Sequence, residues 1–474
     1  MFHGIRAVLA DLVRAAGSAG AVRRLAVALA FSLVALPAMA QTWTATPNVS
    51  TAGTSSNPQV KVDATGVATA VWEQAGRIYA SRNAGSGWST PDDLSGGGST
   101  ASKPQLAVDS AGDVTAIWIR DVGGQTSVLA RRYSAGSWGQ FAVLSSGAQA
   151  TLDASVTVDS NNVVTVAWSR FNGAVYVVQA SRYSAGQWGS PVDLSNAGGS
   201  AYNTRMVVDR FNTVIFVWTR DSGTEFIVQS GRWNGSVITA PIDISNNFGS
   251  GVPAYFPQVA VGSNNRVTVV WVLGLLAANN DVIQARSFLA GFGWLGIADL
   301  TAAGPSARSP QVTVDSANIF TAVWTRNNII QASRSDGLTN WSATPYDLSL
   351  GGSAAAVDPQ VTVDGANVVT AVWARHNGTN RIIQASRFTG TSWSTPADLS
   401  TTGQHADNPQ VAVTSAGVAT AVWARAGIIQ ASRFGAPAPP AAPVPTLSEW
   451  AMILFGLILA SGAAVMIQRR RQVA

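Results

Sequence analysis

Three observations predict an all-β fold built from repeats. A Trp that closes a β-branched, alternating run recurs at positions 72, 118, 168, 218, 271, 324, 373 and 423. That spacing divides the body into eight units of about 50 residues. Each unit breaks into four short segments, as in "PQVTVDGANVVTAVWARHNGTNRIIQASRFTGTSWSTPADLS" at 359–400. The last unit stops after its third segment, "IIQASRF", while an orphan fourth segment, "WTATPNVS", stands at 43–50. Four antiparallel strands per unit of this length match the blade of a β-propeller. The expected fold is therefore an all-β, eight-bladed β-propeller of four-stranded antiparallel blades. The N-terminal strand supplies the outer strand of the eighth blade and closes the ring, which removes the open edges that invite aggregation. A β-solenoid is the runner-up, but its coils are usually shorter.

Each element has a local reason. "PQVTVD" alternates apolar and polar residues, as a half-buried strand does. Asp-x-x-Gly or Asp-x-x-Asn then makes a tight turn, with Gly or Asn supplying positive φ. "VVTAVW" and "IIQASRF" are β-branched runs with small central residues, among them Ala70, Ala371 and Ala385, which suits blades packed on both faces. The recurring Trp residues are expected between blades.

Composition narrows the function. Only 12% of the 474 residues are charged, and cysteine is absent. Disulfide frameworks, Cys-based zinc sites and thiol catalysis are excluded. The chain carries a net charge of +5, yet residues 41–443 hold 21 Arg and 2 Lys against 23 acidic residues. The positive surplus sits in the ends, so it is no argument for a nucleic-acid partner.

Both ends read as addresses. Arg23 and Arg24 precede the apolar run Leu25 to Leu36, and Ala38-Met39-Ala40 forms a small-x-small cleavage site. Residues 1–40 thus read as a signal peptide, with a twin-arginine type as the less favoured form. Residues 41–435 are the propeller and 436–443 a Pro/Ala linker. Residues 444–474 form the tail. Within it, 451–467 is an apolar stretch long enough for one membrane helix, and Arg469, Arg470 and Arg471 follow as a basic stop. Val444 to Ala451, "VPTLSEWA", resembles the I-P-T-L-x-x-W-G signature of IPTL-CTERM sorting domains. Pro445, Thr446, Leu447 and Trp450 match, whereas Val444 and Ala451 depart conservatively. These domains are similar to PEP-CTERM tails. The resemblance implies an exosortase-type membrane protease as processing partner. The precursor would sit in the inner membrane and then move to the periplasm, the outer membrane or the cell surface.

The repeated residues are weighed one set at a time. The turn aspartates Asp63, Asp109, Asp159, Asp209, Asp315 and Asp364 resemble the Asp-box of sialidase-like propellers only loosely, since here Trp follows nine residues later. One carboxylate per blade is too sparse for calcium, and bonding its own turn is the expected role. The third-segment arginines, Arg82, Arg132, Arg182, Arg232, Arg334, Arg387 and Arg433, are expected to pair with the "DLS" acids such as Asp93 and Asp193 on the next strand. A second Arg set, Arg120, Arg170, Arg220, Arg326, Arg375 and Arg425, lies two residues past the recurring Trp. It opens the variable loops at one end of the ring, together with Tyr202, Phe226, Phe248, Tyr255 and Phe256. Variable loops on a rigid scaffold commonly carry binding, so this end is the candidate binding face.

No catalytic set, metal site or cofactor is assigned. The body has two glutamates, Glu73 and Glu225, and two histidines without metal-like spacing, His376 and His405. The expectation is an exported envelope propeller that binds rather than catalyses, with a glycan or an envelope protein as partner. The alternatives are a sialidase-like or other glycan-cleaving enzyme and a passive extracellular structural component.

Overall fold

The computed structural model describes residues 42–435, apart from 45–46, 99, 146–149, 197, 246–251, 276–279, 303, 337–339 and 350–354, together with Ser461. It is an eight-bladed propeller. The inner strands of blades 1 to 8 are Ser55–Val62, Thr100–Val108, Thr151–Val158, Ser200–Val208, Ala254–Val261, Ala307–Val314, Ala356–Val363 and Ala406–Val413. Each blade runs antiparallel from inner to outer strand in chain order. Each inner strand packs against that of the next blade, and the last packs against the first. Blades 2 and 5 have full-length outer strands, Ser137–Val143 and Gly293–Asp299, where most others keep only two residues in ladder, as at Asp92–Asp93. Among the described residues no helix is long and apolar enough to cross a membrane. The signal peptide with Ala38 and Ala40, the linker, and the tail with its expected helix at 451–467 lie outside the described residues.

The second strands are buried on both faces. All eight recurring Trp residues are 0% exposed. In blades 4, 5, 6 and 7 the indole N–H donates to a third-strand Gln, from Trp218 to Gln229, Trp271 to Gln284, Trp324 to Gln331 and Trp373 to Gln384. The same Gln amides donate to the "DLS" acids Asp243, Asp299, Asp347 and Asp398 at 2.6–2.8 Å. A buried indole N–H needs a partner, and this relay supplies one while tying three strands together.

The turn aspartates bond their own turns. Asp63 Oδ1 accepts from the backbone N–H of Thr65 and of Val67, each at 2.9 Å. Where Asn holds the positive-φ position it has a second task. Asn162, Asn212 and Asn367 accept from Ser110, Ser160 and Ser316 of the preceding blade. The turns are thereby chained around the ring.

Among the described residues none of the recurring third-strand arginines pairs with a "DLS" acid; the pair at Asp93 is made by Arg77 instead. Arg132, Arg182, Arg334 and Arg387 form ion pairs with the turn acids Asp109, Asp159, Asp315 and Asp364 at 2.8–3.2 Å. Register explains the correction. Gln229 stands opposite Asp243, so Arg232, three residues further along, is at the wrong height for the outer-strand acid. The same guanidinium groups lie over the aromatic ring that ends the next blade's third strand, as Arg132 over Tyr183 at 4.6 Å, Arg334 over Phe388 at 4.3 Å and Arg387 over Phe434 at 4.0 Å. Each such Arg staples two blades.

The N-terminal segment closes blade 8 as expected. Trp43 bridges Phe434 and Asn48 bridges Gln430. The Val49 N–H donates to the Ile429 carbonyl at 2.7 Å, and Gln430 Nε2 donates to Asn48 Oδ1 at 3.0 Å. Asn48 thus stands where other blades place the "DLS" acid.

Deleting residues 43–50 exposes the Ile428–Phe434 edge and removes buried Val49. A loss of about 3–5 kcal/mol is expected, and a fall in Tm of about 10 °C. An unchanged melting curve would show that closure contributes nothing. Arg387→Ala leaves Asp364 without its cation and uncovers Phe434. It should cost about 3 kcal/mol in denaturant unfolding, while Arg77→Ala, at the exposed pair with Asp93, should leave the unfolding midpoint nearly unchanged.

Candidate functional site

The site begins with an irregularity in the innermost strands. Every one of them carries one extra residue relative to its second strand, for example between Ser56 and Gln59 in blade 1 and between Ser102 and Gln105 in blade 2. Bulges of this kind redirect a side chain and break pairing locally. The bulge positions are Asn57, Lys103, Asp153, Asn203, Phe256, Ser309, Asp358 and Asn408. Seven of these eight residues, all but Asp153, have positive φ between 48° and 56°. Left-handed backbone is uncommon for Lys, Phe or Ser, and rarer still before Pro. The next residue is buried in every blade, and in six blades it is Pro. Pro has no N–H to lose from the ladder, so a bulge accommodates it. In blade 2 the freed Lys103 N–H donates to Glu73 of blade 1 at 2.6 Å.

Seven of the eight bulge residues, all but Asn203, converge. All eight inner strands line one cavity of about 890 Å³, the mouth of the axial channel. Below the bulge layer lie Gln59, Gln105, Gln258, Gln311, Gln360 and Gln410, with Ser155 and Arg205 completing the ring of eight. Tyr255, Asp281 and Arg308 join the wall from blades 5 and 6. Phe256 is 52% exposed and packs edge-on to Tyr255 at 5.0 Å.

The electrostatics are mixed. Arg308 Nε lies 3.8 Å from Asp281. Desolvation raises the Tyr255 pKa, Asp281 adds to the rise and Arg308 opposes it. Asp358 is accessible from the channel, yet its surroundings hold its carboxyl above the ordinary range, first by desolvation and then by the nearby charge of Asp407, against the pull of Arg381. Arg381 is committed to Asp407 at 2.6 Å. Lys103 Nζ donates to the Leu152 carbonyl of blade 3 at 3.0 Å, and Asn408 Nδ2 donates to Asn57 Oδ1 at 3.3 Å. Among the described residues no cluster of three metal-ligating side chains occurs.

The mouth opens at the end opposite the Asp turns, the same end that the variable loops occupy. Arg120, Arg170, Arg220, Arg326, Arg375 and Arg425 are half-buried there, and none of them lines the axial cavity. Arg220, Arg326 and Arg425 donate to the carbonyls of Gly198, Ala302 and Thr402, each in the loop that leads into the same blade. Arg120 lies over the Phe141 ring at 5.5 Å. Tyr202 packs with Tyr176 at 5.6 Å, and Phe226 is 40% exposed. Phe248 lies outside the described residues. His376 and His405 each accept a backbone N–H through Nδ1, from Gly378 and Arg381. Of the residues that line the axial cavity, Tyr255 and Phe256 are already marked by the sequence, whereas the others escape it because they sit inside the repeat. The signal was present in the residue before Pro-Gln, which changes charge and size while the Pro-Gln itself repeats in six blades.

Comparison with known proteins adds an address. Residues 442–471 match the family described as the IPTL-CTERM motif. The tail is a sorting motif. It implies an exported, envelope-targeted protein processed at its C-terminus by an exosortase-type enzyme. No curated protein matches the chain. Among solved structures, the polysaccharide lyase Uly1 is 11% identical over 79% of this chain and 95% of its own, with a TM-score of 0.48. A PL25 ulvan lyase is 8% identical over 70% and 93%, also at 0.48. The intramolecular trans-sialidase of Ruminococcus gnavus is 12% identical over 71% and 94%, at 0.38. Likeness of this degree carries no argument about ligand or chemistry.

The raised Asp358 pKa has a consequence for stability. A carboxyl with a higher pKa in the folded state binds more protons folded than unfolded, so stability falls as pH rises through and above the ordinary value of 3.8. Asp358→Asn should therefore raise Tm at pH 7 and flatten the difference between pH 4 and pH 7. A variant less stable than the parent at pH 7 would contradict this.

Proposed function

We propose that this protein is an exported envelope propeller that binds carbohydrate at the mouth of its axial channel. One observation carries the reading. A single cavity is lined by the inner strands of all eight blades and gathers seven of the eight bulge residues, all but Asn203, whose chemistry differs from blade to blade. Its floor is rich in carboxamides, which both donate and accept and so match sugar hydroxyls. Its wall offers Phe256 as an exposed apolar platform beside those polar groups, the combination expected of a small-molecule site. The six-Arg face and its loops form the rim around this mouth, where a longer chain would make further contacts. The exosortase-type protease is the processing partner. Export through the signal at 1–40, transient anchoring through 451–467 and a final place in the periplasm, outer membrane or cell surface complete the reading.

Glycan cleavage is the second reading, and Asp358 is what favours it. A carboxyl biased toward its protonated form can act as a general acid, provided a second carboxylate serves the same bond. Asp153 and Asp281 line the same cavity.

The test is a broad glycan array, read for retention and for cleavage. Retention is expected, and Phe256→Ala should weaken the best ligand by about tenfold. Retention that is indifferent to Phe256→Ala would move the ligand away from the axial mouth. Cleavage that Asp358→Asn abolishes would establish the second reading instead.

A further inference from the structure

Two cations in the axial channel lack the partners that enclosed cations need. Six inner strands place Gln just after the bulge pair, blade 3 places Ser155, and blade 4 alone places Arg205. Arg205 lines the cavity. Among the described residues its guanidinium makes one hydrogen bond, from Nη1 to the Thr204 carbonyl at 3.0 Å, and no carboxylate lies within ion-pair distance. Desolvation lowers its pKa, and the charge of Asp153 opposes that shift without forming a contact pair. Lys61 lies two residues beyond Gln59 on the inner strand of blade 1. Its side chain is exposed to water, lies on the same strand face as Gln59, and has no partner charge among the described residues, while desolvation by the surrounding strands lowers its pKa. An enclosed charge without a counter-charge is costly, and the fold does not require either one. Gln serves at the Arg205 position elsewhere in the ring, and Thr157, Thr313 and Thr362 serve at the Lys61 position.

We propose that Arg205, with Lys61 deeper in the channel, is an anion-recognising pair, so that the glycan taken at the axial mouth carries a carboxylate. The inference rests on the carbohydrate reading above and names the ligand class. A guanidinium fork matches a carboxylate in two parallel hydrogen bonds. Asp153, Asp281 and Asp358 surround the entrance, and these carboxylates disfavour a doubly charged phosphate far more than a single carboxylate.

The experiment is calorimetric titration of the purified full-length chain with a galacturonate hexamer and with its methyl ester, which keeps the sugar and removes the charge. The acid form should bind at least about tenfold more tightly than the ester. Arg205→Gln should weaken the acid form by about the same factor and leave the ester unchanged. Both Arg205→Gln and Lys61→Thr install residues that other blades already use, so folding is not at risk. Equal binding of acid and ester, unaffected by Arg205→Gln, would overturn the anion pair while leaving the carbohydrate reading intact. Citrate provides an arm without sugar. It should raise the Tm of the parent and not of the Arg205→Gln, Lys61→Thr double variant, and no rise in the parent would also overturn the pair. A citrate effect with no binding of either hexamer would keep the anion pair and remove the carbohydrate reading.

Discussion

A strand buried on both faces needs a neighbour on each side, and that requirement closes this ring. The second strands, with their eight fully buried Trp residues, cannot be satisfied in a lone blade. Hydrophobic burial drives the blades together but does not direct how they meet. Direction comes from the polar staples, in which Arg132, Arg182, Arg334 and Arg387 each join their own turn acid to the next blade's aromatic, while Arg82 and Arg232 reach the next ring alone. Blade 5 shows that the constraint is spatial rather than sequential. It has Ser287 where the others have Arg, and Arg266 reaches in from the turn instead. Arg266 donates to Ser287 Oγ at 3.3 Å and lies over Phe320 of blade 6 at 5.4 Å. At the seam, blade 1 has Asn83 in place of the aromatic, and Arg433 donates to the Gly66 carbonyl at 3.2 Å. A cation crosses these boundaries even where the repeat fails.

Much of the fold was legible because its determinants are local or periodic. The Trp spacing, the turn chemistry and the orphan segment at 43–50 each point to one architecture. The polar pairing was less legible. Arg and the "DLS" acid are neighbours in sequence, but ladder register separates them in height and brings the Arg to an acid some 19–23 residues earlier. Alternation alone does not reveal register across three strands. The same limit hid the task of Asn162 and its counterparts. Positive φ explains why Asn is tolerated there, whereas only the packed ring shows that its side chain accepts from the blade before.

The candidate site was legible in place and not in membership. Loop variability pointed to the end of the ring at which the axial cavity opens, since alternating connections must put the variable loops opposite the uniform turns. The residues at the axis could not be read that way. They lie within strands, flanked by a repeated Pro-Gln, and a strand that alternates gives no sign of an extra residue. Only the bulge makes them converge.

That bulge also explains how one repeat displays five kinds of side chain at one position. Its backbone is set by the buried residue that follows and by the closure of the inner ring, not by the displayed side chain. Asn, Lys, Phe, Ser and Asp all adopt nearly the same positive φ there, a strain of order 1–3 kcal/mol each that surrounding packing has to offset. Strain held at seven of eight blades is hard to account for by folding alone, because an inner strand without the extra residue would pair fully with its neighbour. What the strain provides is a position decoupled from the core, where any side chain can face the axis without disturbing the blade. The repeat supplies stability and the bulge supplies individuality, and the asymmetric mouth of a near-symmetric ring follows from keeping the two apart.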